Sequence, residues 1–427
     1  MIKIEKATEC CGCGACMSVC PKSCIDMKID QEGFWYAKAD EAKCIDCSLC
    51  EKVCPVINTG VKRVPLHVYA AINKDDEIRA KSSSGGMFTI VAEKVLSEGG
   101  VVFGVKFDER WNVVFGYTET IEGLEDFRKS KYVQAWVGDS YKQVMDFLKK
   151  GRKVLFTGTP CHIAALKNML RKDYENLITL DLICEGVPSP KVWNRYLDEE
   201  IARSAKKYSF ALSSTRSFPE RNVLVKDISF RDKRNGWKKF SFALTFAEPT
   251  GDGENSVSLS HIRIDRFSAY MQLMFRKADL RPICYQCPFK CNRSQSDITI
   301  GDYWGINKLH PEMDDDKGTS MLYLNTEKGK EYFNMSRLRY LETPYEEALP
   351  FNVIEQSSVL HPKRDYFYAN MDKKESIIKF MNSIWNPYPA RVKKRIKSVI
   401  KSTMKSVIGQ AQYEYFKVNV WRKIRRR

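Results

Sequence analysis

The sequence predicts an α+β protein in three parts: a small cysteine-rich N-terminal module, an α/β body carrying an antiparallel β insertion, and a basic C-terminal helix. Three observations predict it. A four-cysteine pattern occurs twice before residue 60, strand and helix signals alternate from Val61 onward, and positive charge gathers at the C-terminus. A chain of 427 residues is too long for one ordinary domain, and the boundaries fall at 1–60, 61–385 and 386–427.

The N-terminal module comes first. Cys10, Cys13, Cys16 and Cys20, followed by Pro21, spell C-x2-C-x2-C-x3-C-P, and Cys44, Cys47, Cys50, Cys54 and Pro55 repeat it 34 residues later. This duplicated spacing is the signature of a bacterial-type dicluster ferredoxin. Three cysteines two residues apart wrap a loop around one cubane, and the fourth leads away to the other. Cys10, Cys13, Cys16 and Cys54 are therefore assigned to one [4Fe–4S] cluster, and Cys44, Cys47, Cys50 and Cys20 to the second. The small residues Gly12, Gly14, Ala15 and Ser48 let backbone amides approach the sulfurs. Structural zinc sites use paired C-x2-C units instead. Cys11 and Cys24 fall outside the pattern and are expected to be bystanders.

Redox context agrees with metal ligation. The start "MIKIEKATEC" has no apolar signal core, and no uncharged apolar run reaches the length of a membrane span. Cytoplasmic residence is the expectation, and there thiols stay reduced. An odd total of fifteen cysteines also argues against a closed set of disulfides.

In the body, "SSSGGMFTIVAEKVLSEGG" reads as a Ser/Gly loop opening an amphipathic helix, and "VVFGVKFDE" as a strand. "RKVLFTGTPCHIAALKNMLR" is strand, tight turn and helix; "LITLDLICEGVPSPKVWNRYLDEEI" repeats that order, with Ser189 and Pro190 as N-cap and N1. A βαβα order predicts parallel strands with helices packed on the sheet, and ligands at the carboxyl ends of the strands. Thr157, Gly158, Thr159 and Cys161 occupy one such end and Cys184 another; if the two strands are neighbours, the cysteines share a rim. Ser83, Ser84, Gly85 and Gly86 precede a helix whose free amides suit a phosphate or serve as a plain cap. Lys131 and Tyr132 in "KSKYVQAW" are candidates to reach a cofactor or to end an exposed strand. Residues 209–260 alternate apolar and polar around Asn235-Gly236, which predicts an antiparallel hairpin.

A third cysteine group follows in "RPICYQCPFKCNRSQSDITIGDYWGI": Cys284, Cys287 and Cys291. Three thiols do not close a four-thiolate site. Either Cys161 and Cys184 complete a third cluster, or these two are inert and a small zinc site lies elsewhere.

Six segments, "SSSGGMF", "KSKYVQAW", "LFTGTPCHIAAL", "LICEGVPSPKVW", "LRPICYQCPFK" and "SDITIGDYWGI", together resemble the family of coenzyme F-420 hydrogenase/dehydrogenase beta subunits, in the family's order. The match is nearest to its bacterial branch found with polysaccharide-biosynthesis enzymes, which carries an N-terminal dicluster ferredoxin. The resemblance covers about residues 1–310. It implies a flavin-binding body with FAD beside an iron–sulfur cluster, Cys161, Cys184, Cys284 and Cys287 as ligands of a third [4Fe–4S] cluster, and Cys291 as a spare or substitute. His162 stands where the family usually has Gln, and Glu185 where this branch commonly has His. Flavin contact is implied for Ser83, Ser84, Gly85, Gly86, Lys131, Thr157, Gly158 and Thr159; Asp302, Tyr303 and Trp304 either line that pocket or form a turn with core aromatics. No catalytic residue is identified. The expected activity is an iron–sulfur, flavin-dependent reductase passing electrons from a ferredoxin-like donor to a small-molecule or sugar substrate. The alternative is a non-catalytic electron-transfer component of a hydrogenase or dehydrogenase complex.

The tail closes the sequence. Net charge is +17, yet from Arg391 onward thirteen Lys or Arg face one acid, Glu414, so the rest of the chain is nearly balanced. Ile396, Val399, Ile400, Met404, Val407 and Ile408 recur near a 3.6-residue period. A basic amphipathic helix suits an anionic membrane surface or a docking partner. Nucleic acid is not expected, since no recognition motif accompanies the charge.

Overall fold

The computed structural model of the chain describes residues 1–212, 224–249, 257–265 and 268–385. Two compact units divide it, Met1–Tyr368 and Ala369–Arg427. The tail expected from residue 386 lies outside the described residues. Among the described residues no helix is long and apolar enough to cross a membrane.

The N-terminal duplication is a duplication of backbone conformation. Helix α1 (Ala15–Val19) starts after Gly14 at φ 74°, and α2 (Leu49–Val53) after Ser48 at φ 55°; each stops at the fourth cysteine of its pattern. Gly12 at φ 72° likewise matches Asp46 at φ 50°. These left-handed residues turn the chain tightly between ligands, a conformation glycine adopts freely and Asp or Ser with some strain. Between the halves, β1 (Ile25–Ile29) and β2 (Trp35–Ala39) form an antiparallel ribbon.

In the body follow β3 (His67–Asn73), α3 (Asp76–Lys81), α4 (Met87–Ser97), β4 (Val101–Phe107), β5 (Val113–Thr118), α5 (Ser140–Lys149), β6 (Val154–Gly158), α6 (Pro160–Leu170), β7 (Leu177–Leu182) and α7 (Pro190–Leu212). The insertion contributes β8 (Leu224–Asp232), β9 (Ser241–Pro249) and β10 (Val257–Asp265); then come α8 (Ala269–Phe275), β11 (Ile298–Asp302), β12 (Ser320–Leu324) and β13 (Leu338–Glu342). Eight strands form one sheet in the order β13-β3-β12-β11-β7-β6-β4-β5. Its centre, β11-β7-β6-β4, is parallel as the βαβα order predicts. The sheet as a whole is mixed, because β5 follows β4 through a short turn and must run back.

Both faces are covered, so the central strands are apolar throughout. Along β3, Val68, Ala70 and Ile72 join one core cluster while Tyr69 and Ala71 join the other, the period of two that a pleated strand imposes. Helix α4 supplies Ile90, Val91 and Val95 to the second face.

The insertion contains the expected antiparallel hairpin, β8 paired with β9, and extends it. It is a three-stranded antiparallel meander, and Asn235-Gly236 sits inside a longer connection, residues 233–240. Trp237 accounts for the length. It is fully buried and stacks on Trp304 at 4.8 Å and 2°, drawing the connection down onto the body.

Candidate functional site: cysteine cradles at the carboxyl edge of the sheet

The N-terminal cysteines separate into two groups with the fourth member exchanged. Cys20 lines one hollow with Cys44, Cys47 and Cys50. In the other group the Cys16 thiol is pushed up to about 12 by burial and by the nearby Cys10 and Cys54 thiols. The groups differ in position. Cys47 is exposed and Cys44 half-buried, whereas Cys10, Cys13, Cys16 and Cys54 are buried. Cys24 is drawn in as well, its sulfur 3.3 Å from that of Cys20.

The third site forms where the central strands end. Strands β6 and β7 pair in parallel, Gly158 opposite Asp181, so the loops that follow emerge side by side. Cys161 lies in the first turn of α6 and Cys184 two residues past β7. A bridge between Pro188 and Leu280 brings the short turn Pro282–Gln286 alongside. Cys161, Cys184, Cys284 and Cys287 thereby line one cavity of about 60 Å³, and a fifth cysteine, Cys11, lines it too. Cys291 turns elsewhere: it stands at φ 60°, its amide donates to Ile354, and its thiol points at the Glu355 carbonyl.

These thiols resist ionisation together. Burial, then Cys161, pushes Cys184 up to about 12, opposed by Lys290, whose Nζ donates to the Cys184 carbonyl at 2.7 Å. Cys161 is raised first by Cys11 and then by burial, while Thr159 Oγ1, 3.1 Å from its sulfur, opposes. Burial raises Cys284 and Cys287. A bound cationic centre reverses this balance and takes the thiolates. Among the described residues, no three His, Cys, Asp or Glu stand close enough together for a single ion. Four cysteine thiols on one cavity are the donor set of a [4Fe–4S] cluster as well as of a four-cysteine zinc site. His162 beside Cys161 stays neutral, its pKa lowered to about 4 by burial, with Nδ1 2.8 Å from Thr159 Oγ1. Glu185 forms an ion pair with Lys277.

The residues expected to touch flavin divide between two places. Thr157 gives its hydroxyl to the Phe103 carbonyl, and Thr159 Oγ1 lies 3.1 Å from the Cys161 sulfur and 2.8 Å from His162 Nδ1, so this turn buttresses the start of α6. The Ser/Gly loop meets the 129–132 segment instead: the Ser130 amide donates to Ser83 Oγ at 2.8 Å. Gly85 presses on the sheet, where a Cβ would lie 2.5 Å from the Ala71 carbonyl, and its amide donates to Ser320 Oγ. Ser84 Oγ donates to the Thr319 carbonyl, and Gly86 stands at φ 87° before α4.

Two lysines flank this seam. Lys131 is lowered to about 7 by burial and then by Lys129, its ammonium donating to the Asp126 and Arg128 carbonyls. Lys233 from the insertion is lowered to about 8 by burial and then Arg79, donating to the Arg79, Ser84 and Lys317 carbonyls. Burial favours the neutral form of both amines, and an anion placed beside them would favour the charged form.

Asp302 serves the insertion: it pairs with Arg231 and accepts from Trp237 Nε1 at 3.0 Å. Tyr303 is a core side chain, fully buried and donating to Thr343 Oγ1. Sequence reasoning missed Cys11, Lys233 and Arg281. Arg281 is fully buried; Nε donates to the Cys10 carbonyl and Nη2 to the Trp35 carbonyl, each at 2.8 Å. Its only local signal was its place three residues before Cys284.

A dicluster module fixed on a mixed α/β sheet, with half-buried thiols at the strand ends, defines an iron–sulfur protein of oxidoreductase type. Residues 9–58 match the 4Fe-4S dicluster domain. Residues 68–139 and 151–347 match the N- and C-terminal parts of the coenzyme F-420 hydrogenase/dehydrogenase beta subunit, together more than half of the chain, and the chain belongs to that family. The polysaccharide-associated branch has no such match behind it. One of the subunits of the F(420)H(2) dehydrogenase of Methanosarcina mazei is 23% identical over 186 residues, covering 41% of this chain and 53% of its own. An uncharacterised protein of Methanocaldococcus jannaschii is 27% identical over 212 residues, 41% of this chain and 56% of its own. The chain spans about half the length of these curated relatives. A chain in a structure of the F-420-reducing [NiFe] hydrogenase complex from Methanosarcina barkeri aligns over 74% of this chain and 90% of itself, at 18% identity and a TM-score of 0.39.

Proposed function

We propose that this chain is an iron–sulfur flavoprotein oxidoreductase that takes electrons from a reduced ferredoxin-like donor and hands them to a small-molecule substrate, a sugar of a glycan precursor being the favoured class. The observation that carries the reading is the one cavity that the half-buried Cys161, Cys184, Cys284 and Cys287 share with the buried Cys11 of the dicluster module. The cradle of Cys44, Cys47, Cys50 and Cys20 faces outward and receives electrons; the cradle of Cys10, Cys13, Cys16 and Cys54 faces the body. The four body cysteines hold a third cluster.

The seam between the Ser/Gly loop and residues 129–132 fits FAD. In this reading the loop of Ser83, Ser84, Gly85 and Gly86, joined to the 129–132 segment through Ser83 and Ser130, forms one side of the site, and Lys131 and Lys233 offer charge to a diphosphate. A flavin bound there supplies single-electron acceptance and delivery of a hydride equivalent. The insertion, locked by Trp237 and Arg231, shields that seam from water.

Anaerobic purification followed by iron, sulfide and flavin assay tests this. About twelve iron atoms and one FAD per chain are expected; about eight iron and no flavin would leave only the dicluster module standing. The Methanosarcina mazei relative is one component of a dehydrogenase, which supports a second reading, an electron-transfer component without its own substrate. It predicts that the isolated chain turns over no acceptor and gains activity only with a partner protein.

A further inference from the structure

Cys11 belongs to neither half of the ligand repeat. Its thiol is nonetheless buried, faces Cys13 on one side and Cys161 on the other, and lines the body cavity with Cys161, Cys184, Cys284 and Cys287. Cys13 and Cys161 belong to different sites, one in each half of the fold. Cys11 is therefore the side chain shared by the inner N-terminal cradle and the body cradle.

Its backbone is fixed from both directions. Arg281 anchors the Cys10 carbonyl from the body, three residues before Cys284. Gln134 Nε2 lies 3.4 Å from the Cys11 carbonyl, and the next residue, Gly12, passes so close that a Cβ there would lie 2.3 Å from the same nitrogen. Tyr141, fully buried, lies nearby, its hydroxyl donating to the carbonyl of His162, the residue after Cys161, at 3.4 Å. A side chain held this tightly is positioned for something, and packing alone is satisfied by any small apolar residue.

We propose that Cys11 is the bridge through which electrons pass from the inner N-terminal cluster to the body cluster, a positioning residue and not a ligand. The proposal rests on the reading that the four body cysteines hold a cluster. One electron leaves the site of Cys10, Cys13, Cys16 and Cys54, which is oxidised by one, and arrives at the site of Cys161, Cys184, Cys284 and Cys287, which is reduced by one. A low-potential one-electron donor of the ferredoxin class supplies it at the outer site. No bond forms or breaks at Cys11, and its proton stays in place. Its sulfur and Cβ fill the gap that would otherwise interrupt the shortest path, and electron tunnelling falls steeply with every interruption.

The test uses the full chain, purified anaerobically as wild type, Cys11→Ala and Cys11→Ser. Iron content is measured first, and a wild type with about eight iron atoms would sink the third cluster itself, separately from the bridge. With a wild type of about twelve, both variants are expected to keep all the iron. Freeze-quench EPR then follows the body cluster after mixing with dithionite-reduced ferredoxin. Its reduction is expected to slow by about tenfold or more in Cys11→Ala, the penalty of a displaced contact, and to recover largely in the near-isosteric Cys11→Ser. The magnetic coupling between the inner and body clusters is expected to persist, because the distance between them is unchanged. An unchanged rate in Cys11→Ala overturns the bridge. Loss of about four iron atoms in both variants overturns it too, because Cys11 is then a ligand.

Discussion

Lys131 shows how one residue's surroundings set its chemistry. Two carbonyls hold its ammonium, burial and Lys129 favour the neutral form, and Asp126, Asp227 and Glu125 pull weakly the other way. With a pKa lowered to about 7, the side chain is charged below neutrality and neutral above it. An ordinary lysine would stay charged to about 10. Flavin retention is therefore expected to weaken as pH rises from about 6 to about 9, followed by flavin released on gel filtration. Lys131→Arg should keep flavin and remove the earlier part of the loss, leaving the part near pH 8 that belongs to Lys233, and Lys131→Ala should weaken flavin retention at every pH. Retention indifferent to both substitutions would remove Lys131 from the site. The chemistry of such residues was unevenly legible. Cysteine ligands announce themselves because a cubane fixes their spacing within one short loop. Cys11 and Arg281 do not, because their partners arrive from far along the chain, Arg281 reaching 271 residues back to Cys10.

At the scale of elements, the insertion is tied to the body by a small number of side chains. Trp237 stacks on Trp304 and donates to Asp302, while Arg231 pairs with that carboxylate beneath the Phe240 ring, 4.4 Å away. Trp237→Ala removes a fully buried indole, and such truncations cost about 3–5 kcal/mol. The expected result is faster proteolysis of residues 224–249, weaker flavin retention and unchanged iron content; lost iron would mean that the insertion supports the clusters as well. Local pattern served well for α4, β4, β6, α6, β7 and the start of α7, where apolar period and caps agree. The Ser189 cap is real, its Oγ accepting from the Val192 amide, yet it also donates to the Glu32 carbonyl of the N-terminal module. The antiparallel pairing expected around Asn235-Gly236 is present, but the turn is longer than two residues and holds the buried Trp237. Antiparallel β5 and β12 went unread: strand direction is set by connection length and partners, which periodicity does not carry.

Across the whole molecule, the dicluster module and the body belong to one compact unit. Three contacts secure the join. Arg281 holds the Cys10 and Trp35 carbonyls and lies 4.1 Å from the Tyr36 ring. Arg364 pairs with Glu32, and Ser189 reaches the Glu32 carbonyl. Among the described residues Arg281, unlike Arg364, pairs with no carboxylate; carbonyls, Gln134 and an aromatic face hold it. Its charge is thus left to offset the anionic thiolate sites on either side, and it already favours the Cys161 thiolate. Arg281→Ala should therefore act twice. Two charge-assisted hydrogen bonds of about 1.5–3 kcal/mol each are lost, so amides near Cys10 and Trp35 should exchange faster. The reduction potentials of both neighbouring clusters should fall, because each loses a buried cation. Arg281→Lys keeps the charge but not the two-pronged donation, so it should preserve the potentials while still loosening exchange. Arg364→Ala is the control, loosening the join at Glu32 without moving either potential. If Arg281→Ala shifts exchange alone, the guanidinium is a clasp and nothing more; if both quantities move and the lysine variant separates them, the same side chain joins the two halves and sets how readily electrons cross.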